Sequence, residues 1–303
     1  MILSDFSLPR YKLFLMQPIV LESNQIRVVE LCASRAWLIP ATPFETIDQR
    51  CCAIEIQIAN EQINEARTLI KALAVQLEAD LVLLNVKALN VERKLAVFDM
   101  DSTLIQVEVI DELAKRAGIG EQVMAITAAA MRGELDFNQS FAKRLGLLKG
   151  LSDEVLVDIA ANLPMMPGME AMIVGLQQRG FKTAILSGGF SYFADHLKAK
   201  YNFDYAFSNQ LQVVDGKVTG EVVGEIVNGE RKVAYLKQIA EQEGVDLECS
   251  IAVGDGANDL PMLGVAGLGV AFHAKPLVIE QATHSISTLG LDALLYLVDA
   301  KSE

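Results

Sequence analysis

The chain has 303 residues, 51% of them apolar and 21% charged, which is globular composition with room for two domains of roughly 100–200 residues each. Its net charge of −13, from 39 acids against 26 lysines and arginines, argues against nucleic-acid binding, which depends on neutralising phosphates. An anionic ligand must therefore be held by local donors, not by the overall field.

The opening MILSDFSLPRYKLFL has no basic stretch leading into an apolar run, so no secretory signal is expected. No run reaches the ~20 apolar residues of a membrane span. Cys32, Cys51, Cys52 and Cys249 show neither CxxC nor zinc spacing, and a reducing cytoplasm is the expected setting.

Along the chain, residues 11–20 and 26–33 read as strand-like pieces, and CCAIEIQIAN (51–60) alternates as a strand. In 61–80, Ile63, Ala66, Ile70, Leu73, Ala74 and Leu77 recur at helical spacing, and 81–89 reads as another strand. A small α+β domain over 1–88 is the expectation. The pattern changes near 88–94. KLAVFDMDSTL, FKTAILSGG and CSIAVGDGAND each run as an apolar strand into Asp, Ser or Gly. Helical stretches at 167–179 and 231–243 lie between them. Strands alternating with helices predict an open parallel sheet over 94–303, with ligands beyond the carboxyl ends of its strands. Four helical stretches, 109–117, 121–132, 137–148 and 152–162, interrupt the alternation. They predict a helical cap inserted at about 106–165.

Asp99 and Asp101 are two apart after an apolar strand, a spacing that points side chains to one side. Such a pair suits a hard cation, or a nucleophile with its acid; capping and turn formation are its ordinary uses. Ser187-Gly188-Gly189 offers a hydroxyl and unhindered N–H groups for a phosphate, or makes a plain turn. Gly254-Asp255-Gly256-Ala257-Asn258-Asp259 is dense in acids at a strand end, as a metal site or an Asp-Gly turn. Lys232 opens a helical stretch and carries a compact charge suited to phosphate.

These four clusters, in this order and context, resemble the motifs of the haloacid dehalogenase superfamily. FDMDSTLIQVEVIDELA, MRGELDFNQSFAKRL, ILSGGF and AVGDGANDLPML are similar to the phosphoserine phosphatase family within it. The resemblance covers about 94–298. It implies an α/β, Rossmann-like core with the helical cap, and Mg²⁺-dependent hydrolysis of O-phosphoserine, the last step of serine synthesis. It implies Asp99 as the nucleophile that becomes phosphorylated and Asp101 as the acid and base. The metal would be held by Asp99, Asp255 and the Asp101 backbone carbonyl, with Asp259 in support. Ser187, Gly188 and Lys232 would hold phosphoryl oxygens, and Asn258 would contact phosphate or substrate. Glu108 would take the substrate ammonium and Arg144 its carboxylate, with Met131 and Phe137 as an apolar wall. The family permits a homodimer and implies neither nucleic acid nor membrane as partner. The first 88 residues resemble small ferredoxin-like regulatory domains that bind amino acids, without a matching motif. Two rival readings are a phosphatase or phosphotransferase for another small molecule and a non-catalytic amino-acid sensor.

Overall fold

The computed structural model describes residues 8–40 and 42–300. They divide into two compact units: those up to Glu92 with those from Thr283 on, and Arg93–Ala282. Among them, no helix is long and apolar enough to cross a membrane.

The first unit opens with β1 (Arg10–Met16), α1 (Glu22–Ser34), β2 (Glu45–Asp48) and β3 (Cys51–Gln57). It continues with α2 (Ile63–Leu77), β4 (Asp80–Asn85) and the short α3 (Val86–Leu89). The sheet order is β2-β3-β1-β4, antiparallel throughout, the ferredoxin-like β-α-β-β-α-β arrangement. Leu13, Leu15, Cys52, Ile54, Leu81 and Leu83 alternate along the strands and meet Val28, Cys32, Ala66, Ile70 and Leu73 of the helices. Residues 26–33, read above as a strand, are helical. Their β-branched Ile26, Val28 and Val29 suggested a strand. Burial instead follows Val28 and Cys32, one helical turn apart, and leaves Ile26 exposed.

The second unit starts with β5 (Leu95–Phe98), buried at every position as a central parallel strand must be. Four helices follow: α4 (Val109–Arg116), α5 (Gly120–Met131), α6 (Phe137–Gly146) and α7 (Glu154–Ala161). This insertion enters and leaves through one stem. Ile105 bridges Met165, the Gln106 N–H donates to the Pro164 carbonyl, and the Met166 N–H to the Leu104 carbonyl, both at 2.9 Å. Then come α8 (Met169–Gln178), β6 (Lys182–Phe190), α9 (Ser191–Tyr201), β7 (Tyr205–Val214) and β8 (Lys217–Val223). The unit ends with α10 (Gly229–Glu243), β9 (Ser250–Gly254), α11 (Leu260–Val265), β10 (Leu268–Phe272) and α12 (Pro276–Gln281). Its strands run β10-β9-β5-β6-β7-β8, parallel from β10 to β7. The chain leaves β5 toward β6 on one side and later returns to β9 on the other. The carboxyl end of β5 is therefore a switch point, where such sheets form their crevice. β7 and β8 make an antiparallel hairpin with Asp215 and Gly216 both at positive φ, the twist-matched two-residue turn.

The last segment, with β11 (His284–Ile286) and α13 (Leu294–Asp299), belongs to the first unit, whereas the sequence pattern ran the second domain to 303. Polar contacts explain the difference. The buried Asp80 carboxylate accepts the N–H groups of Ser287 (2.6 Å), Thr288 (3.0 Å) and Leu289 (3.0 Å). Arg50 pairs with Asp292 at 2.7 Å, and the Tyr296 hydroxyl donates to Asp48 at 2.5 Å.

Asp80→Ala would strand three donors at once. Denaturant unfolding should show a loss of about 3 kcal/mol or more, with Asp80→Asn in between, since bonds to a charged group contribute ~1.5–3 kcal/mol.

Candidate active site

β5 delivers Asp99. Its N–H still donates to the Val253 carbonyl of β9 at 2.9 Å, so the residue sits one step past the strand, between β6 and β9. From there the chain turns. The N–H groups of Thr103, Leu104 and Ile105 all converge on the Met100 carbonyl, and Ser102 adopts a left-handed φ of 57°. Asp101 thus reaches the crevice from a turn, not by the strand alternation that its spacing suggested.

One cavity of about 680 Å³ gathers Asp99, Asp101, Glu108, Met131, Phe137, Arg144, Ser187, Gly188, Asp255 and Asn258. Lys232 and Asp259 are not among its lining residues. Both are fully buried, Lys232 behind Asp99 and Asp259 behind Lys232. The Lys232 Nζ lies 2.8 Å from the Asp99 Oδ1 and 2.5 Å from the Asp259 Oδ1. The second Asp259 oxygen accepts the Gly256 N–H at 2.9 Å. Lys232, expected on the phosphoryl oxygens, is here the counter-ion of two carboxylates.

Asp99, Asp255 and Asp259 bring carboxylate oxygens within 4.8 Å of one another. Burial, and then Asp259, push Asp99 well above the usual carboxylate range in spite of Lys232. Burial and Asp259 likewise push Asp255 up to about 7, against Lys275. Three buried carboxylates that bring their oxygens this close form an all-oxygen donor set, which fits a hard divalent cation. Asp101 is raised by burial, then by Glu108 and Asp99, which favours its protonated form. Only a long bond from the Val109 N–H, 3.4 Å, opposes this on the backbone side.

The rest of the cradle comes from β6 and the cap. The Ser187 Oγ accepts the Gly189 N–H at 2.9 Å. The buried Asn209 fixes this loop: it donates to the Gly188 carbonyl and accepts the Val227 N–H, each at 2.8 Å. Phe137 stacks on Phe141 and covers Gly188, where a Cβ would meet the Phe137 ring at 2.9 Å. Met131 lines the cavity yet is 76% exposed, so it forms rim more than wall. The Ser102 hydroxyl donates to the Glu108 Oε1 at 2.9 Å.

Sequence reasoning missed Asp111, Asn209 and Lys275. The first and last line the cavity, and the Lys275 Nζ stands 3.6 Å from the Asp255 Oδ2. Asn209 sits inside a strand and Lys275 after one, with no motif to mark either. Asp111 lies three residues after Glu108 on a helix, a spacing that could have revealed it.

Gly189 is required by close approach. A Cβ there would lie 2.7 Å from the Asp101 Oδ2 and 3.1 Å from the Ser187 Oγ. Gly189→Ala should keep the fold, checked by circular dichroism, and lower catalytic turnover at least about a hundredfold, the usual cost of an ångström's displacement.

The haloacid dehalogenase-like hydrolase family matches residues 96–264. A phosphoserine phosphatase of Haemophilus influenzae is 52% identical over 223 residues, 74% of this chain and 71% of that protein. A haloacid dehalogenase-family hydrolase of Salmonella enterica superposes with a TM-score of 0.86 at 33% identity, covering 96% of this chain and 100% of that one. A substrate-bound phosphoserine phosphatase gives 0.65 at 43% identity, over 68% of this chain and 99% of that one. With these matches added to its strand-end carboxylates, the chain belongs to the haloacid dehalogenase-like hydrolases and, within them, to the phosphoserine phosphatase family.

Proposed function

We propose that this protein hydrolyses O-phospho-L-serine to L-serine and phosphate, the closing step of serine synthesis, with Mg²⁺ and through phosphorylated Asp99. One observation carries the reading. A single cavity joins the Asp99–Asp101 pair to Glu108 and Arg144, a carboxylate and a guanidinium matched to an ammonium and a carboxylate.

A carboxylate oxygen of Asp99 attacks phosphorus, and the bond to the serine oxygen breaks. Asp101, held protonated by its surroundings, gives its proton to that oxygen. Serine leaves, and water attacks the aspartyl phosphate while Asp101 takes the proton back. Phosphate is released and both carboxyl groups return to their starting states. Phosphoryl transfer rests on position and charge neutralisation, so a carboxylate suffices as the nucleophile. Asp99, Asp255 and the Asp101 carbonyl would hold the ion; when bound, it neutralises the carboxylates and phosphoryl oxygens around it. Asp259 supports the set by fixing Lys232 and the Gly256 N–H. Ser187 and the Gly188 N–H serve the phosphoryl oxygens, with Asn258 beside them.

The direct test is phosphate release from O-phosphoserine with Mg²⁺, with chelator, and with Asp99→Asn. Turnover should require Mg²⁺ and vanish in the variant, and trapped phosphoenzyme should map to Asp99. Phosphate on a serine or histidine, or full activity in chelator, would sink the mechanism.

Arg144 tests the substrate. Arg144→Ala should lower kcat/KM for phosphoserine at least about tenfold, because a charged hydrogen bond is lost. The loss on O-phosphoethanolamine, which has no carboxylate, should be much smaller. Equal losses on both would assign Arg144 to holding the cap together.

A further inference from the structure

α4 starts from Glu108 as its N-cap and buries Val109, Ile110, Leu113 and Ala114. Glu108 and Asp111, three residues apart, share a helix face, and both line the cavity. An acid in a first helical turn ordinarily serves the helix end. Here the Glu108 side chain makes no capping bond. The Asp111 Oδ1 is buried without a hydrogen-bond partner among the described residues. Burial, and then the like charge of Glu108, raise the Asp111 pKa, while Arg144 opposes them. The Arg144 Nε is also buried without a partner among the described residues. Asp111 on α4 and Arg144 on α6 thus line one cavity, and each keeps a buried polar atom without a hydrogen-bond partner among the described residues.

A buried acceptor without a partner in the protein is costly, the more so beside a second carboxylate. A ligand that repays it must bring positive charge and several donors. An ammonium brings three. One Glu108 oxygen already holds the Ser102 hydroxyl at 2.9 Å, so Glu108 alone cannot serve all three N–H groups well. The remaining acceptor of the right sign on the same face is Asp111. A hydroxyl in the ammonium's place would bring one donor and no charge.

We propose that Asp111 is a second acceptor for the substrate ammonium, and that Glu108 and Asp111 together select amino-bearing phosphomonoesters over their hydroxy counterparts. This deepens the phosphoserine reading and rests on it. The measurement compares wild type, Asp111→Asn and Asp111→Ser, the last a residue suited to a helix N-terminus. It takes KM and kcat for O-phosphoserine and the inhibition constant of 3-phosphoglycerate, which carries a hydroxyl where phosphoserine carries the ammonium. KM for phosphoserine should rise about tenfold, with kcat falling less. Inhibition by 3-phosphoglycerate should hold or tighten, since a negative charge has left the pocket of an anion. A folded variant that weakens both ligands by the same factor, or neither, overturns the role of Asp111. Wild type that takes phosphoserine no more tightly than 3-phosphoglycerate overturns the substrate reading, and this proposal with it.

Discussion

A single buried ammonium makes the catalytic end of the sheet possible. Lys232 has no exposed surface, and its charge would be prohibitive there alone. Burial opposes that charge, but Asp259 and Asp99 outweigh it and carry the lysine pKa upward. The pairing fixes more than charge. Lys232 comes from the first turns of α10, Asp99 from the end of β5, and Asp259 from the loop after β9. Three separate segments must meet within 2.8 Å at one nitrogen for the site to exist. A buried pair stabilises little once desolvation is counted, but breaking one is expensive. The contact therefore specifies an arrangement more than it adds stability.

Lys232 serves the two carboxylates proposed for catalysis unequally, and the inequality distinguishes them. Asp99 has Lys232 at 2.8 Å. Asp101 has no such partner; Glu108 and Asp99 act on it with the same sign as its own charge. Of the two, Asp99 has the neighbouring cation that its proposed role as nucleophile calls for, and Asp101 has the like charges that suit its proposed role as acid. The carboxylate oxygens that Asp99, Asp255 and Asp259 bring together are what the proposed Mg²⁺ would neutralise. On that proposal the acidity of the site serves cation and proton together, in a chain whose overall charge would repel a phosphate.

The parallel sheet was legible because β5, β6 and β9 are short apolar runs that stop at polar residues, and the motif residues occupy those stops. Local pattern failed where tertiary packing decides. Residues 26–33 carry strand-prone side chains, yet Val28 and Cys32 find the sheet as a helix. The last segment goes to the first unit through Asp80, whose four hydrogen bonds span more than 200 residues of sequence. Asn209 shapes the Gly188 loop from a neighbouring strand, a relation without sequence periodicity. The Asp215-Gly216 hairpin is absent from the sequence reading above, although Asp-Gly between apolar residues is a hairpin signal.

Chemistry and selection are built on different elements of the second unit. The residues proposed to handle the phosphoryl group stand at strand ends, whereas Arg144 and Asp111, proposed to read the amino acid, ride on inserted helices and Glu108 caps one of them. An insertion held by one stem would position them loosely, but this one is tied twice. Beyond the stem at 104–106 and 164–166, the Gly150 N–H donates to the Val218 carbonyl and the Val218 N–H to the Leu151 carbonyl. Gly220 then brings β8 against the end of α6, where a Cβ would meet the Gly146 Cα at 3.2 Å. α6 carries Arg144 two residues earlier. The hairpin β7–β8 thus holds the helix that bears the guanidinium, and the same β7 carries the Asn209 that fixes the Gly188 loop. The loop proposed to hold the phosphoryl group and the helix that bears the guanidinium are therefore tied to one hairpin. A common support of this kind would let the cap measure its ligand, because a substrate of another length cannot satisfy both ends.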